Sequence, residues 1–195
     1  WAIEHDVPYI QPTSMNRESF PDSFFFFFLD VCVLVAFGYI LPKWLLDLPQ
    51  HGFINMHPSL LPKLRGPSPI RTAILNNDRD AVGVTVMKID EHMDHGPILA
   101  QERVELTDWP LPGRELDKVL SESGGKLLAQ TLLPYSNGTI IPYEQRHADA
   151  TYCKMIKKSD AEIFETDPAE VALHKICAYD GWPGAFIMLE RNGKP

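Results

Sequence analysis

Asn55 and His57 stand two residues apart in the run Gly52-Phe-Ile-Asn-Met-His57, and Pro58 follows at once. A short apolar run bounded by glycine and proline predicts a β-strand. Alternate residues of a strand leave the same face, so the amide and the imidazole would share one. Pro58 stops the strand directly after His57 and places the pair at its C-terminal mouth, the edge of open α/β sheets where ligands bind. On spacing alone, His57 reads equally well as an ordinary half-buried histidine. The second reactive group is the loop Asp90-Glu-His-Met-Asp-His-Gly-Pro97. Imidazole and carboxylate are ordinary zinc ligands, so His57, His92, Asp94 and His95 could serve a metal-dependent hydrolase. The plain alternative is a solvated acidic loop, and no spacing here fixes three ligands on one rigid element. A third arrangement needs one carboxylate beside His57, which would orient the ring and favour its charged form.

The elements that must position these groups alternate between strand and helix. Val7–Gln11 reads as a short strand ended by proline. Residues 24–41, FFFFFLDVCVLVAFGYIL, are apolar enough to suggest a membrane span. Asp30 and the β-branched segment up to Gly38 favour a buried parallel strand instead. The five consecutive phenylalanines follow no pattern of helix or strand. Pro42–Pro49 predicts a one- or two-turn helix. Pro69–Asn77 predicts another, with proline at its start and asparagine at its end. Val82–Asp90 and Pro97–Leu106 read as strands joined by a tight loop. Thr107-Asp108 would cap a helical region reaching Tyr135, broken at Gly124-Gly125. Ala148 onward is polar and extended, and Pro168–Cys177 reads as a further amphipathic helix. The pattern predicts a Rossmann-like α/β fold with a mostly parallel sheet.

Composition narrows the classes of function. The 195 residues are 45% hydrophobic and 23% charged, within globular ranges and enough for a single core. The formal net charge is −8, so no basic stripe announces nucleic acid, and a nucleic-acid substrate would need its phosphate attraction from elsewhere. Cys32, Cys153 and Cys177 match no metal or redox spacing, which favours a reducing, cytoplasmic setting. The opening Trp1-Ala-Ile-Glu4 carries no basic stretch of the kind that starts a secretory signal. No membrane association is expected.

Longer blocks make the reading specific. Gly52-Phe-Ile-Asn-Met-His-Pro-Ser-Leu-Leu-Pro62 is followed by Arg65-Gly-Pro-Ser-Pro-Ile70, Gly83-Val-Thr-Val86 and Asp94-His-Gly-Pro-Ile-Leu99, and preceded by Val35-Ala-Phe-Gly-Tyr-Ile-Leu-Pro42. In order and spacing these blocks resemble the folate-dependent formyltransferase family. The resemblance implies a catalytic trio of Asn55, His57 and Asp94. It implies 10-formyltetrahydrofolate as co-substrate, with no metal required. The folate would be held by Phe37, Gly38, Tyr39, Ile40 and Leu41, by Ser59, Leu60, Leu61 and Pro62, and by Ile89, Asp90 and Glu91. Core packing is the alternative for Phe37, Ile40 and Leu41; for Ser59–Pro62 it is a turn that only orients His57.

The Arg65–Ile70 block is similar to the branches that act on methionyl-tRNA and on sugar nucleotides, and Ala150–Ala161 with Trp182–Phe186 to the branch whose acceptor is the amino group of methionyl initiator tRNA. An amino-sugar nucleotide or glycinamide ribonucleotide would be the alternative acceptor. Domains then follow as 1–147 for catalysis, 148–166 as a linker and 167–195 as the start of a barrel-like, tRNA-binding domain. The resemblance also places a strand–helix–strand unit ahead of Ala2–Pro8, absent here, so the isolated chain is expected to fold poorly. The enzyme is expected to act as a monomer.

Overall fold

The computed structural model describes residues 1–189. Four strands, β1 (Cys32–Leu34), β2 (Phe53–His57), β3 (Gly83–Lys88) and β4 (Ile98–Arg103), lie side by side in that order. The α/β expectation holds, but the sheet is mixed rather than mostly parallel. β1 and β2 run parallel, while β2–β3 and β3–β4 are antiparallel. The reason lies in the connections. Ile89–Pro97 is too short for the crossover that a parallel pair requires. At the other end, Leu60 N–H donates to Ala81 O at 2.9 Å, so the chain leaving β2 runs beside the chain about to enter β3.

Among the described residues four α-helices complete the layers: α1 (Lys43–Leu46), α2 (Pro69–Leu75), α3 (Gly113–Ser136) and α4 (Ala169–Ala178). The period-two rule separates the two sheet faces. Ile54, Val84 and Val86 point to one face and pack with Leu116, Leu120 and Leu127 of α3. Phe53 belongs to a second cluster, with Phe20, Leu41 and Leu45. Asn55 and His57 alternate with Ile54 and Met56, so they leave on the face of Phe53.

Helix α3 runs unbroken where Gly124-Gly125 predicts an interruption, and it starts at Pro112 rather than Thr107-Asp108. Gly124 lies on the buried face, where a Cβ would stand 2.7 Å from Met56 Sδ. Here glycine serves close approach of helix to sheet, and the surrounding packing outweighs its low propensity. β1 is parallel as expected but not fully buried: Val33 is 41% exposed, and Val35 just beyond the strand is 50% exposed. Among the described residues β1 has a strand partner on one side only. The strand expected at Val7–Gln11 is absent. Pro8 within the run and Pro12 directly after it remove ladder donors.

Of the phenylalanine run, Phe24 and Phe25 join Phe20 and Trp44 in an aromatic cluster, with the Arg17 guanidinium 4.3 Å from the Phe25 ring centre. Nothing in the structure explains Phe26–Phe28, which are exposed. No helix among the described residues is long and apolar enough to cross a membrane.

Beyond Asp149 the chain is extended yet tied down. Tyr152 bridges to Arg65, and Ile163 N–H donates to Phe186 O at 2.8 Å. Helix α4 packs on α2 and places Ala178 in the main core. The final stretch of the expected barrel strand, 190–195, lies outside the described residues.

Lys175 fastens α4 to the segment before it, donating at 2.7 Å to both Asp167 Oδ2 and Glu162 O. The Lys175 bond, then the Phe164 N–H, hold the Asp167 carboxyl below its ordinary value of 3.8. A depressed carboxylate adds stability that is complete above about pH 5 and is lost as pH falls through its folded-state value. Asp167→Asn is therefore expected to lower the urea midpoint at pH 7, with the gap from wild type closing on acidification. A gap that widens toward low pH would contradict this.

Candidate active site

His57 is the last residue of β2 and 4% exposed. Its Nε2 lies 2.9 Å from Leu64 O. A carbonyl can only accept, so Nε2 carries the proton and Nδ1 is left as the nitrogen that gains and loses one. Nδ1 faces Asp94 Oδ1 at 3.6 Å. That separation is too long for a hydrogen bond but leaves the carboxylate as the acidic side chain facing Nδ1. Asn55 is half-buried one pleat earlier on the same face. Among the described residues its amide makes no hydrogen bond, which leaves the Nδ2 donors free for a ligand. The structure therefore joins His57 to Asp94 across the sheet and sets Asn55 on the same surface.

Asp94 sits in the left-handed region, with φ +49°. For an L residue that conformation costs about 1–2 kcal/mol, and the surroundings hold it. Gly66 N–H donates to Asp94 Oδ2 at 2.7 Å, and Gln145 Nε2 donates to Asp94 O at 2.9 Å and to Gly96 O at 2.8 Å. Gly66 has φ +116°, and a Cβ there would meet Cys153 O at 2.5 Å. Both the turn and the close approach require glycine at this point.

The loop after β2 is clasped by residues 151–153. Leu64 N–H donates to Thr151 Oγ1 at 2.9 Å, Arg65 N–H to Thr151 O at 2.9 Å, and Cys153 N–H to Arg65 O at 2.8 Å. Burial pushes the Cys153 thiol up, so it stays protonated and donates toward Arg65 O at 3.3 Å. Thr85, fully buried on β3, pins the turn at 59–62: its Oγ1 donates to Ser59 O at 2.6 Å and accepts from Leu61 N–H at 3.2 Å.

The residues that the resemblance assigns to folate divide. Phe37, Tyr39 and Ile40 are 42%, 67% and 84% exposed, so core packing does not account for them. Gly38 has open space where a Cβ would be. Leu41 is core, and Leu41 and Ile89 pack in the same cluster around Phe53, which brings 37–41 and 89–91 to one side of the sheet. Ser59 and Leu61 are buried, and Ser59 Oγ donates to Lys63 O at 2.6 Å. Leu60 lies against Gly83, and Pro62 is half-buried. Asp90 accepts from His92 N–H and pairs with His95 Nδ1 at 2.7 Å, while Glu91 is exposed.

The metal arrangement of His57, His92, Asp94 and His95 does not assemble. Among the described residues His57 and Asp94 belong to no group of three or more side chains whose ligand atoms converge. Asp90, His92 and His95 instead bring ligand atoms within 4.8 Å of one another.

A family model described as formyl transferase matches residues 6–132. The methionyl-tRNA formyltransferase of Chloroflexus aurantiacus is 40% identical over 185 residues, which is 95% of this chain and 59% of that protein. The chain belongs to the formyl transferase family. It spans about three fifths of the length of the curated relatives it matches. Two solved family folds agree in architecture. A 4-N formyltransferase from Francisella tularensis superposes with a TM-score of 0.72 over 83% of this chain and 66% of that one, at 22% identity. HypX from Aquifex aeolicus, solved with tetrahydrofolic acid, gives 0.69 over 81% and 27%, at 20% identity.

Gln145, Thr85, Thr151 and Cys153 were not legible as site-supporting residues. Arg65 and Gly66 were visible only within a family block. Substituting Gly66→Ala in the full-length protein is expected to dislodge the Asp94 acceptor bond and lower turnover by about tenfold or more, since it forces a clash with backbone and a strained φ. Turnover within twofold of wild type would show that the Gly66 turn does not set the position of Asp94.

Proposed function

We propose that the protein containing this chain transfers the formyl group of 10-formyltetrahydrofolate to the amino group of methionyl initiator tRNA. The observation that carries the reading is the His57–Asp94 pair at the mouth of β2, with Nε2 tied to Leu64 O and Nδ1 turned to the carboxylate, inside a formyl transferase fold. Support for the acceptor comes from the 40% identity to a methionyl-tRNA formyltransferase.

The acceptor amine attacks the formyl carbon and forms a C–N bond. The carbonyl oxygen becomes negative in a tetrahedral intermediate. Asn55 Nδ2 and protonated His57 Nδ1 donate to that oxygen, a role in which one donor lowers the barrier by about 3–4 kcal/mol. Collapse breaks the bond between the formyl carbon and N10. His57 gives its Nδ1 proton to the leaving nitrogen as that bond breaks, and the neutral Nδ1 then takes the proton lost by the attacking nitrogen, which restores the imidazolium beside Asp94. No step in this scheme calls on a metal.

Folate lies against Phe37–Leu41, Ser59–Pro62 and Ile89–Glu91, largely through backbone, because Ser59, Leu61 and Leu41 turn their side chains inward. Residues 1–147 form the catalytic unit, 148–166 connect it, and 167–195 lead into the part that grips tRNA, which would offset the chain's net charge of −8. The enzyme works as a cytoplasmic monomer.

An amino-sugar nucleotide is the rival acceptor, and rates on charged initiator tRNA against an amino-sugar nucleotide panel separate the two. For the trio, Asn55→Ala, His57→Ala and Asp94→Ala in the full-length protein are each expected to cut kcat by about a hundredfold or more with folate binding largely kept. A His57→Ala enzyme with near-normal turnover would remove the proposal.

A further inference from the structure

We propose that Arg65 and Gln145 form a buried clamp whose function is to position Asp94 against His57. The inference rests on the formyl-transfer reading above and adds two residues to it, neither of which touches the reacting atoms.

Arg65 is 1% exposed and Gln145 is 4% exposed. Arg65 Nε and Nη2 donate together to Gln145 Oε1, at 3.1 and 2.6 Å. Nη2 also donates to His147 Nδ1 at 2.9 Å, and Nη1 reaches Tyr152 Oη at 3.4 Å. Among the described residues no carboxylate lies within ion-pairing distance of this guanidinium. A buried charge answered only by neutral acceptors contributes little to stability, since hydrocarbon of similar shape would serve as well or better. Its geometry is better explained by what it fixes. With Oε1 captured twice by Arg65, the Gln145 amide has one orientation, and its Nε2 points away from the guanidinium.

Nε2 then donates to the carbonyls of Asp94 and Gly96 together. These carbonyls flank the turn in which Asp94 holds its left-handed φ of +49°. Arg65 therefore acts at both ends of the aspartate. Through Gln145 it holds the backbone of Asp94, and its own chain neighbour Gly66 gives the N–H that holds Asp94 Oδ2. One more residue back, Leu64 O accepts the hydrogen bond from His57 Nε2–H. Leu64, Arg65 and Gly66 thus set imidazole and carboxylate against each other from three consecutive positions.

The test is a double-mutant cycle in the full-length protein, pairing Gln145→Glu with Asp94→Ala. Gln145→Glu keeps an acceptor for Arg65 but replaces the donor to Asp94 O and Gly96 O by a carboxylate oxygen, so it releases the Asp94 turn while the guanidinium keeps a partner. The clamp predicts that Gln145→Glu keeps the KM for the formyl donor near wild type while kcat falls about tenfold or more. In the Asp94→Ala background the same substitution costs less than about twofold, because coupled positions are non-additive. Equal losses in both backgrounds, or kcat within twofold of wild type in the single variant, would overturn the clamp. If Gln145→Glu does not reach the native circular dichroism spectrum, Gln145→Met, similar in length and without donors, is read in the same cycle by the same criteria. Wild-type protein that transfers no formyl group would remove the formyl-transfer reading and the clamp with it. Normal wild-type turnover with an unaffected cycle would remove the clamp alone.

Discussion

The bond from His57 Nε2–H to Leu64 O decides which nitrogen of the imidazole is available for chemistry, and much of the local structure serves that bond. It requires β2 to end at His57, the following loop to turn back over the ring, and the loop to stay put. Proline after His57 supplies the first condition. The segment at 151–153 supplies the third by hydrogen-bonding Leu64 and Arg65 along their backbones. With Nε2 occupied, the pairing with Asp94 falls to Nδ1, so one carbonyl converts an ambiguous histidine into a directed one.

Asp94 is held by a different logic. Its loop crosses between antiparallel strands, where a short connection has little conformational freedom but no regular hydrogen bonding of its own. The polar groups of the loop are instead paired by side chains, Asp90 with His92 N–H and the His95 ring within the loop, and the Asp94 and Gly96 carbonyls with Gln145 from elsewhere. None of the buried side-chain nitrogen or oxygen atoms among the described residues lacks a partner. A network satisfied to that degree is rigid, because any displacement strands a buried group at a cost of about 1–3 kcal/mol. Rigidity of this kind allows an aspartate to stay in a left-handed conformation beside its histidine.

What was legible in the sequence follows from the range of the interaction. Strand β2 with Asn55 and His57 on one face could be read directly, because period two and a terminating proline are local. The hairpin of β3 and β4 was legible for the same reason. The antiparallel course of β3 against β2 was not, since it depends on where the chain returns after α2. Gly124-Gly125 misled because a glycine pair signals a break locally, while here one glycine admits Met56. Asp94 was one of several carboxylates in an acidic loop until family blocks singled it out. Gln145 lay 80 residues from Arg65 and 51 from Asp94, between the last helix of the catalytic unit and the linker, in a stretch to which the sequence pattern assigned no element.

The account stands on the protonation of His57, which can be observed directly. Nitrogen-15 NMR of the labelled full-length protein, followed across the titration of this ring, reports which nitrogen keeps its proton in the neutral form. The account predicts a neutral state with the proton on Nε2, and the same tautomer in Asp94→Ala, because the bond to Leu64 O and not the carboxylate sets it. A neutral ring protonated on Nδ1 would contradict it.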